Sequence, residues 1–187
     1  MLAAIETAII NRIKAAAGLS YLRSVESYGG QFDDDTFDVV RILPAVWVTF
    51  AGAAKPVQHG ASSFLTPATF AVMCCARSVR SEETTRHDGP ASEVGVYRIL
   101  KDVKTLLLMQ DLGLDIDHLR PGATRTLYNT KLRSNGLAVF AQEWHTKFAD
   151  DVPPEANVTE LLHVGLNYRL KPGDDLTDAS DSLTFTR

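Results

Sequence analysis

Apolar residues recur at helical intervals near the amino end, where Leu2, Ile5, Ile9, Ile13 and Ala16 fall along a single stripe. The spacing predicts an amphipathic helix over about 2–17, stopped by Gly18, with Glu6 near its start and Lys14 near its end agreeing in sign with the helix dipole. A second stripe of Val96, Ile99, Leu100, Val103, Leu106 and Leu107, with Lys101 and Lys104 off it, predicts a helix over about 91–110. Gly113 ends that helix, which is expected to lie across a sheet, and 115–122 with Pro121 reads as the return connection.

Other segments carry a period of two or a continuous apolar run. Residues 22–28 can form a strand that Gly29-Gly30 breaks. Ile42 to Phe50 is nearly all apolar and rich in β-branched and aromatic types, as in a strand covered on both faces. In the strand predicted over 64–77, Phe70, Val72 and Cys74 alternate with Ala71, Met73 and Cys75, so both faces again read as buried. Residues 52–63, with Pro56, His59 and Gly60, read as the turn or hairpin loop joining these two central strands. Two more strands are expected over 124–133 and 137–149, joined through Ser134-Asn135-Gly136, a hairpin-turn signal. The second puts Ala138, Phe140, Trp144 and Phe148 on one face and Glu143, His145 and Lys147 on the other, which should be wet.

Polar stretches divide the chain. Gln31 to Asp38 holds three consecutive acids, Asp33, Asp34 and Asp35, that repel one another and should face water or a partner. Residues 78–90 are polar and mixed in charge, a surface loop. Pro153-Pro154 interrupts the chain before 161–170, where Leu162, Val164, Leu166, Tyr168 and Leu170 face one way, a strand or an arm waiting for a sheet. Lys171 to Arg187 is too poor in apolar residues to pack alone and reads as mobile until an assembly orders it. The prediction is a single α+β domain with a largely antiparallel mixed sheet: a core over 1–150 packed by two helices, then a C-terminal strand, arm and polar segment over 151–187.

Composition narrows the functional classes. The 187 residues suit one core, and 45% hydrophobic with 22% charged side chains is the balance of a folding, soluble chain. A formal charge of −4 gives no net pull toward DNA or anionic lipid, so neither sequence-specific nucleic-acid binding nor membrane association is expected. The amino terminus lacks a basic region ahead of a sustained apolar stretch, so it is not a secretory signal, and no segment could span a bilayer.

Candidate chemistry is sparse. Cys74 and Cys75 are adjacent on a predicted strand, hence on opposite faces, and read as core packing in a reducing compartment and not as a disulfide or half of a metal site. His145 and Glu143 share a strand face, so an acid/base pair is conceivable, although any wetted face presents such neighbours. The histidines at 59, 87, 118, 145 and 163 lack metal-ligand spacing, and Asp33-Asp34-Asp35 lacks the order of a calcium loop. No phosphate-binding loop, dinucleotide fingerprint or nucleophile elbow is present. No catalytic residue, small-molecule substrate, cofactor or metal is expected.

A resemblance adds what the residues alone do not. With the helix Ile5-Glu6-Thr7-Ala8-Ile9-Ile10-Asn11-Arg12-Ile13 ahead of it, the stretch Ser24-Val25-Glu26-Ser27-Tyr28-Gly29-Gly30-Gln31-Phe32, followed by Leu43-Pro44-Ala45-Val46-Trp47-Val48-Thr49-Phe50-Ala51-Gly52, resembles proteins encoded among the tail genes of Mu-like phages and prophages. The likeness runs to about Ala76, more loosely through Phe148, and leaves the segment from Asn157 on unplaced. Such proteins look like tail terminators, which implies a homo-oligomer, a hexameric ring, with the tail tube protein, a neck or connector protein and the sheath as neighbours. It also implies a place in the virion's tail and neck after assembly in the bacterial cytoplasm. Subunit contacts are expected from Asp33, Asp34 and Asp35 in the acidic loop, from Lys55, Gln58 and His59 in the 52–63 loop, and from Tyr168 and Leu170 in the arm. The competing classes are a head–tail adaptor or assembly chaperone acting as a monomer or dimer, and, last, a hydrolase using His145 and Glu143.

Overall fold

A computed structural model describes residues 1–30, 40–77, 94–127, 136–153, 163–168, 177 and 179–184. They divide into two compact units, Met1–Asp151 and Val152–Arg187.

The first unit is α+β. Helix α1 (Leu2–Lys14) buries Ile5, Ile9 and Ile13, the predicted stripe. It ends at Ala15, earlier than Gly18, because Ala16 turns to an extended conformation (φ −78°, ψ 108°) before a 3-10 turn over Ala17–Leu19. Strands β1 (Ser24–Ser27), β2 (Ala45–Ala53), β3 (Val57–Gln58) and β4 (Ser63–Arg77) follow, then helix α2 (Val96–Leu107), β5 (Arg120–Thr126) and β6 (Leu137–Asp151). Helix α2 is shorter than its apolar stripe suggested, since Met109 just past its end takes φ 57°, which no helix can continue; positions 91–93 lie outside the described residues.

The sheet order is β1-β2-β4-β6-β5, with β3 also on β4. Only β1 and β2 are parallel, so the sheet is mixed and largely antiparallel. Strands β4 and β6 pair without a break from Ser63↔Asp151 to Arg77↔Leu137. That register sets the faces. Val46, Val48, Phe70, Val72, Cys74 and Trp144 turn toward α1 and α2 and join Ile5, Ile9, Ile99 and Val103 in the main core. Each buried aliphatic side chain there contributes about 1.5–3 kcal/mol. On the opposite face Ala45, Trp47, Met73, Cys75 and Val139 form a smaller core, covered by Leu43, Val40, Ile42 and Tyr28.

Several sequence expectations change here. The 52–63 segment is not all loop, because β2 runs on to Ala53 and β3 pairs with Phe64 and Leu65. Strand β5 begins at Arg120, inside the expected return connection, and crosses Pro121 and Gly122. It can do so because it lies at the end of the strand order, where proline's missing N–H breaks no ladder bond, and because the register shifts between Pro121 and Thr124. The 128–133 part of that expected strand, Ser134 and Asn135 of its turn, and the 78–90 loop lie outside the described residues. The face of β6 expected to be wet is so only in part: Glu143 is half-buried and His145 and Lys147 are exposed, but Leu137, Val139 and Ala141 on the same side enter the smaller core.

In the second unit β7 (His163–Tyr168) pairs antiparallel with β8 (Ala179–Thr184), from His163↔Thr184 to Tyr168↔Ala179. The arm strand is as expected. The segment after it, expected to lack structure of its own, supplies β8, because six polar and small residues complete a ladder through backbone bonds without needing a core.

Candidate assembly surfaces

The β4–β6 pairing outlasts the helices that cover it. Along β4 residues 72–76 are buried, whereas Phe64 near its start is 38% exposed. Val57 on β3 is 63% exposed and Phe50 on β2 37%, with the Phe50 ring edge-on to Phe70 at 5.7 Å. Three large apolar side chains are thus exposed on this part of the sheet, Phe50 and Phe64 on the face of Phe70 and Val57, opposite Leu65, on the other, and positions 45–77 hold no acidic residue and only the two cations Lys55 and Arg77. Lys55, Gln58 and His59, predicted as contacts, sit on this same part and are exposed. The turn is closed locally: His59 N–H donates to Ser63 O at 2.8 Å, Gln58 Nε2 to Gly60 O at 3.1 Å, and Gly60 takes φ 88°. Lys55, Gln58 and His59 were singled out by polarity and loop length, whereas the exposure of Phe50, Val57 and Phe64 was not visible in the sequence, because apolar residues on strands read as core.

The open half of the other sheet face carries the one acid/base pair that sequence raised. Structure separates it. Thr69 Oγ1 lies 2.9 Å from His145 Nδ1 across β4 and β6, while Glu143 makes an ion pair with Arg125 of β5 at 3.6 Å. Gly122 is what lets the His145 ring lie there, since a Cβ at that position would fall 2.2 Å from Nε2. Beside the ring a shallow cleft of about 370 Å³ is lined by Pro67, Asp117, His118, Arg120 and Lys147. Its walls are mostly exposed.

Cys74 and Cys75 are free, buried and on opposite faces. Burial pushes both thiols well above their ordinary range, so neither supplies a thiolate nucleophile. Among the described residues no group of three or more His, Cys, Asp or Glu gathers to hold a metal ion. Nor is any described helix long and apolar enough to cross a membrane. Between the helices, Tyr21 Oη donates to Asp102 Oδ2 at 2.8 Å under the Arg98 guanidinium, 5.5 Å from the ring centre. Burial first, and that bond second, hold the phenol well above its usual range. This cluster ties α2 to the segment before β1, as does Arg12 Nε donating to Leu106 O at 2.8 Å between the helices.

On the second unit Tyr168 is 48% exposed, with Leu166 and Leu183 exposed beside it and Val164 paired to Leu183 across the hairpin. Asp33, Asp34, Asp35, Leu170 and His87 lie outside the described residues.

These features define an α+β domain with exposed apolar side chains on its sheet and no catalytic or metal-binding cluster among the described residues. The chain belongs to the Bacteriophage Mu, Gp37 family, whose profile matches residues 1–149. No curated protein matches the sequence. Membership in a Mu phage family points to a structural protein of the tail region.

Proposed function

We propose that this chain is a tail terminator, a subunit of a hexameric ring that caps the finished tail tube and offers the surface to which the neck joins. The observation that carries the reading is the exposure of Phe50, Val57 and Phe64 on strands β2, β3 and β4 of a chain that belongs to a Mu phage family. Covering what remains exposed of them contributes roughly 2–4 kcal/mol in sum, a part of what association between copies requires.

The mechanism is geometric. A head-to-tail contact that turns each subunit by an angle that closes yields a ring with two chemically different faces. One face ends tube growth by covering the last tube subunits. The other receives a neck or connector protein, with the sheath alongside. The ring works in the virion's tail and neck after assembly in the host cytoplasm, and needs no substrate, cofactor or metal.

The test is native mass by light scattering after size exclusion, alone and with purified tail tubes, together with electron microscopy of tube ends. A hexamer on tube ends is expected. A stable monomer or dimer that never caps tubes would overturn the reading in favour of an adaptor or assembly chaperone.

A further inference from the structure

The two outer edges of the large sheet are built differently. Edge strand β5 is guarded: Arg120, Pro121 and Arg125 stand on it, and a bulge between Pro121 and Thr124 bends it. Charge, proline and bulges are the usual means by which an edge is kept from pairing with another chain. The other edge is β1 only where Ser24–Ser27 lie beside Ala45–Val48. Beyond Val48, the Thr49–Ala53 edge of β2 has no strand beside it among the described residues, and its sequence Thr-Phe-Ala-Gly-Ala holds neither charge nor proline. A bulge between Phe50 and Gly52 is its only guard, and exposed Phe50 and Val57 flank it.

The second unit has the opposite problem. Its β7–β8 hairpin has six residues per strand, and an isolated two-stranded hairpin is at best marginally stable in water. Leu166, Tyr168 and Leu183 are exposed on it. Its strands match in length the five unpaired positions of β2. Charge does not oppose the pairing: of the acids in Val152–Arg187 only Asp181 stands on the two strands, and positions 45–77 hold no acid to repel it. The hairpin lies past residue 149, where the family match ends.

We propose that the β7–β8 hairpin of one copy adds to the free Thr49–Ala53 edge of β2 in a second copy, extending that sheet while Leu166, Tyr168 and Leu183, which share one hairpin face, cover Phe50. Strand addition of this kind takes its affinity from backbone bonds and its selectivity from the side chains beside them. Donor and acceptor surfaces differ, so the contact is head-to-tail and can close into a ring. The inference rests on the self-assembly part of the proposed function and names the contact that makes it.

Two full-length variants test it. Ala51→Lys with Ala53→Lys charges the edge at two exposed positions; Leu166→Asp with Leu183→Asp charges the hairpin. Native folding is read from the fluorescence of buried Trp47 and Trp144, and the single changes Ala53→Lys and Leu183→Asp serve wherever a double variant loses it. Each variant alone should run as a monomer where the parent is a ring. Mixed, they should form a heterodimer of twice the monomer mass and nothing larger, because one free edge meets one free hairpin and both remaining halves are blocked. If the parent forms a ring and either variant still does, this contact is wrong and the ring stands. Two monomers that fail to complement would equally overturn the pairing of hairpin with edge. A parent that stays monomeric even with tail tubes overturns the ring itself.

Discussion

Replacing each buried tryptophan by phenylalanine should give two different costs, although both rings are fully buried. Trp47 Nε1 donates to Ser24 Oγ at 3.3 Å, and Ser24 is itself buried. Trp144 Nε1 has no hydrogen-bond partner among the described residues, and neither has Gln142 Oε1 two positions away on the same face of β6. The smaller ring leaves a void worth on the order of 1 kcal/mol in either core. At Trp47 the change also strands a buried hydroxyl, adding about 1–3 kcal/mol. At Trp144 it removes a buried donor that was already unpaired, which returns about 1–3 kcal/mol. Trp47→Phe should therefore cost about 2–4 kcal/mol, and Trp144→Phe should range from neutral to about 2 kcal/mol stabilising. The assay is urea unfolding at constant m-value, read by the tryptophan that remains, with the difference appearing in the midpoint. Equal costs would refute the reasoning and mean that a buried water joins Trp144 Nε1 to Gln142 Oε1.

Four further outcomes follow from the packing. Because burial holds both thiols above their ordinary value of 9.0, the unfolded chain ionises first as pH rises, and folded stability should fall above pH 9 by about 1.4 kcal/mol per pH unit for each thiol. Denaturant midpoints across that range should show the slope, and Cys74→Ala should remove half of it. In the native protein at pH 8 a thiol reagent should label neither cysteine, with both reacting in urea, as counted by mass. Gly122→Val should push the His145 ring off Thr69, lowering stability by about 1 kcal/mol through the lost hydrogen bond, with the move visible as a changed His145 shift in NMR. Ile9→Ala, in the middle of the buried stripe of α1, should cost about 2–5 kcal/mol in the same unfolding assay.

What could be read from sequence followed from whether a residue's environment is set by its near neighbours. Ile5, Ile9 and Ile13 declare a helix face by spacing alone, and Phe70 to Cys75 declare a two-sided strand because both alternations are apolar. Strand β8 does not declare itself. Its residues Ala-Ser-Asp-Ser-Leu-Thr bury nothing in particular, and only the ladder with β7 makes them a strand. Pro121-Gly122 reads as a breaker until the strand order shows that β5 lies at the edge, where both are tolerated. The shared face of His145 and Glu143 was legible, but their partners Thr69 and Arg125 come from strands whose register no single-chain pattern encodes. The same holds for Phe50, Val57 and Phe64. Their hydrophobicity was visible and their exposure was not, because exposure depends on what lies above the sheet.

That dependence can be put in lengths. The two described helices, of 13 and 12 residues, are about 20 Å long at 1.5 Å per residue. Strands β4 and β6, of 15 residues each, extend about 50 Å at roughly 3.4 Å per residue. Helices of that length cannot cover such a ribbon even if laid along it, and α2 shares its core with Phe70, Val72 and Cys74 of β4, leaving the Ser63–Leu65 end past the core. A strand end left outside a core is normally polar, yet this one carries Phe64 on one face and Val57 on the other. In an isolated subunit these two side chains stay 38% and 63% exposed, which weakens the case for so long a ribbon. Against a second protein surface the same extra length is what carries the apolar side chains beyond the helices to where a partner can reach them. The mismatch between helix and strand lengths is therefore the fold-level reason to look for this protein's function in assembly, at the ribbon's end, before looking at the polar cleft beside His145.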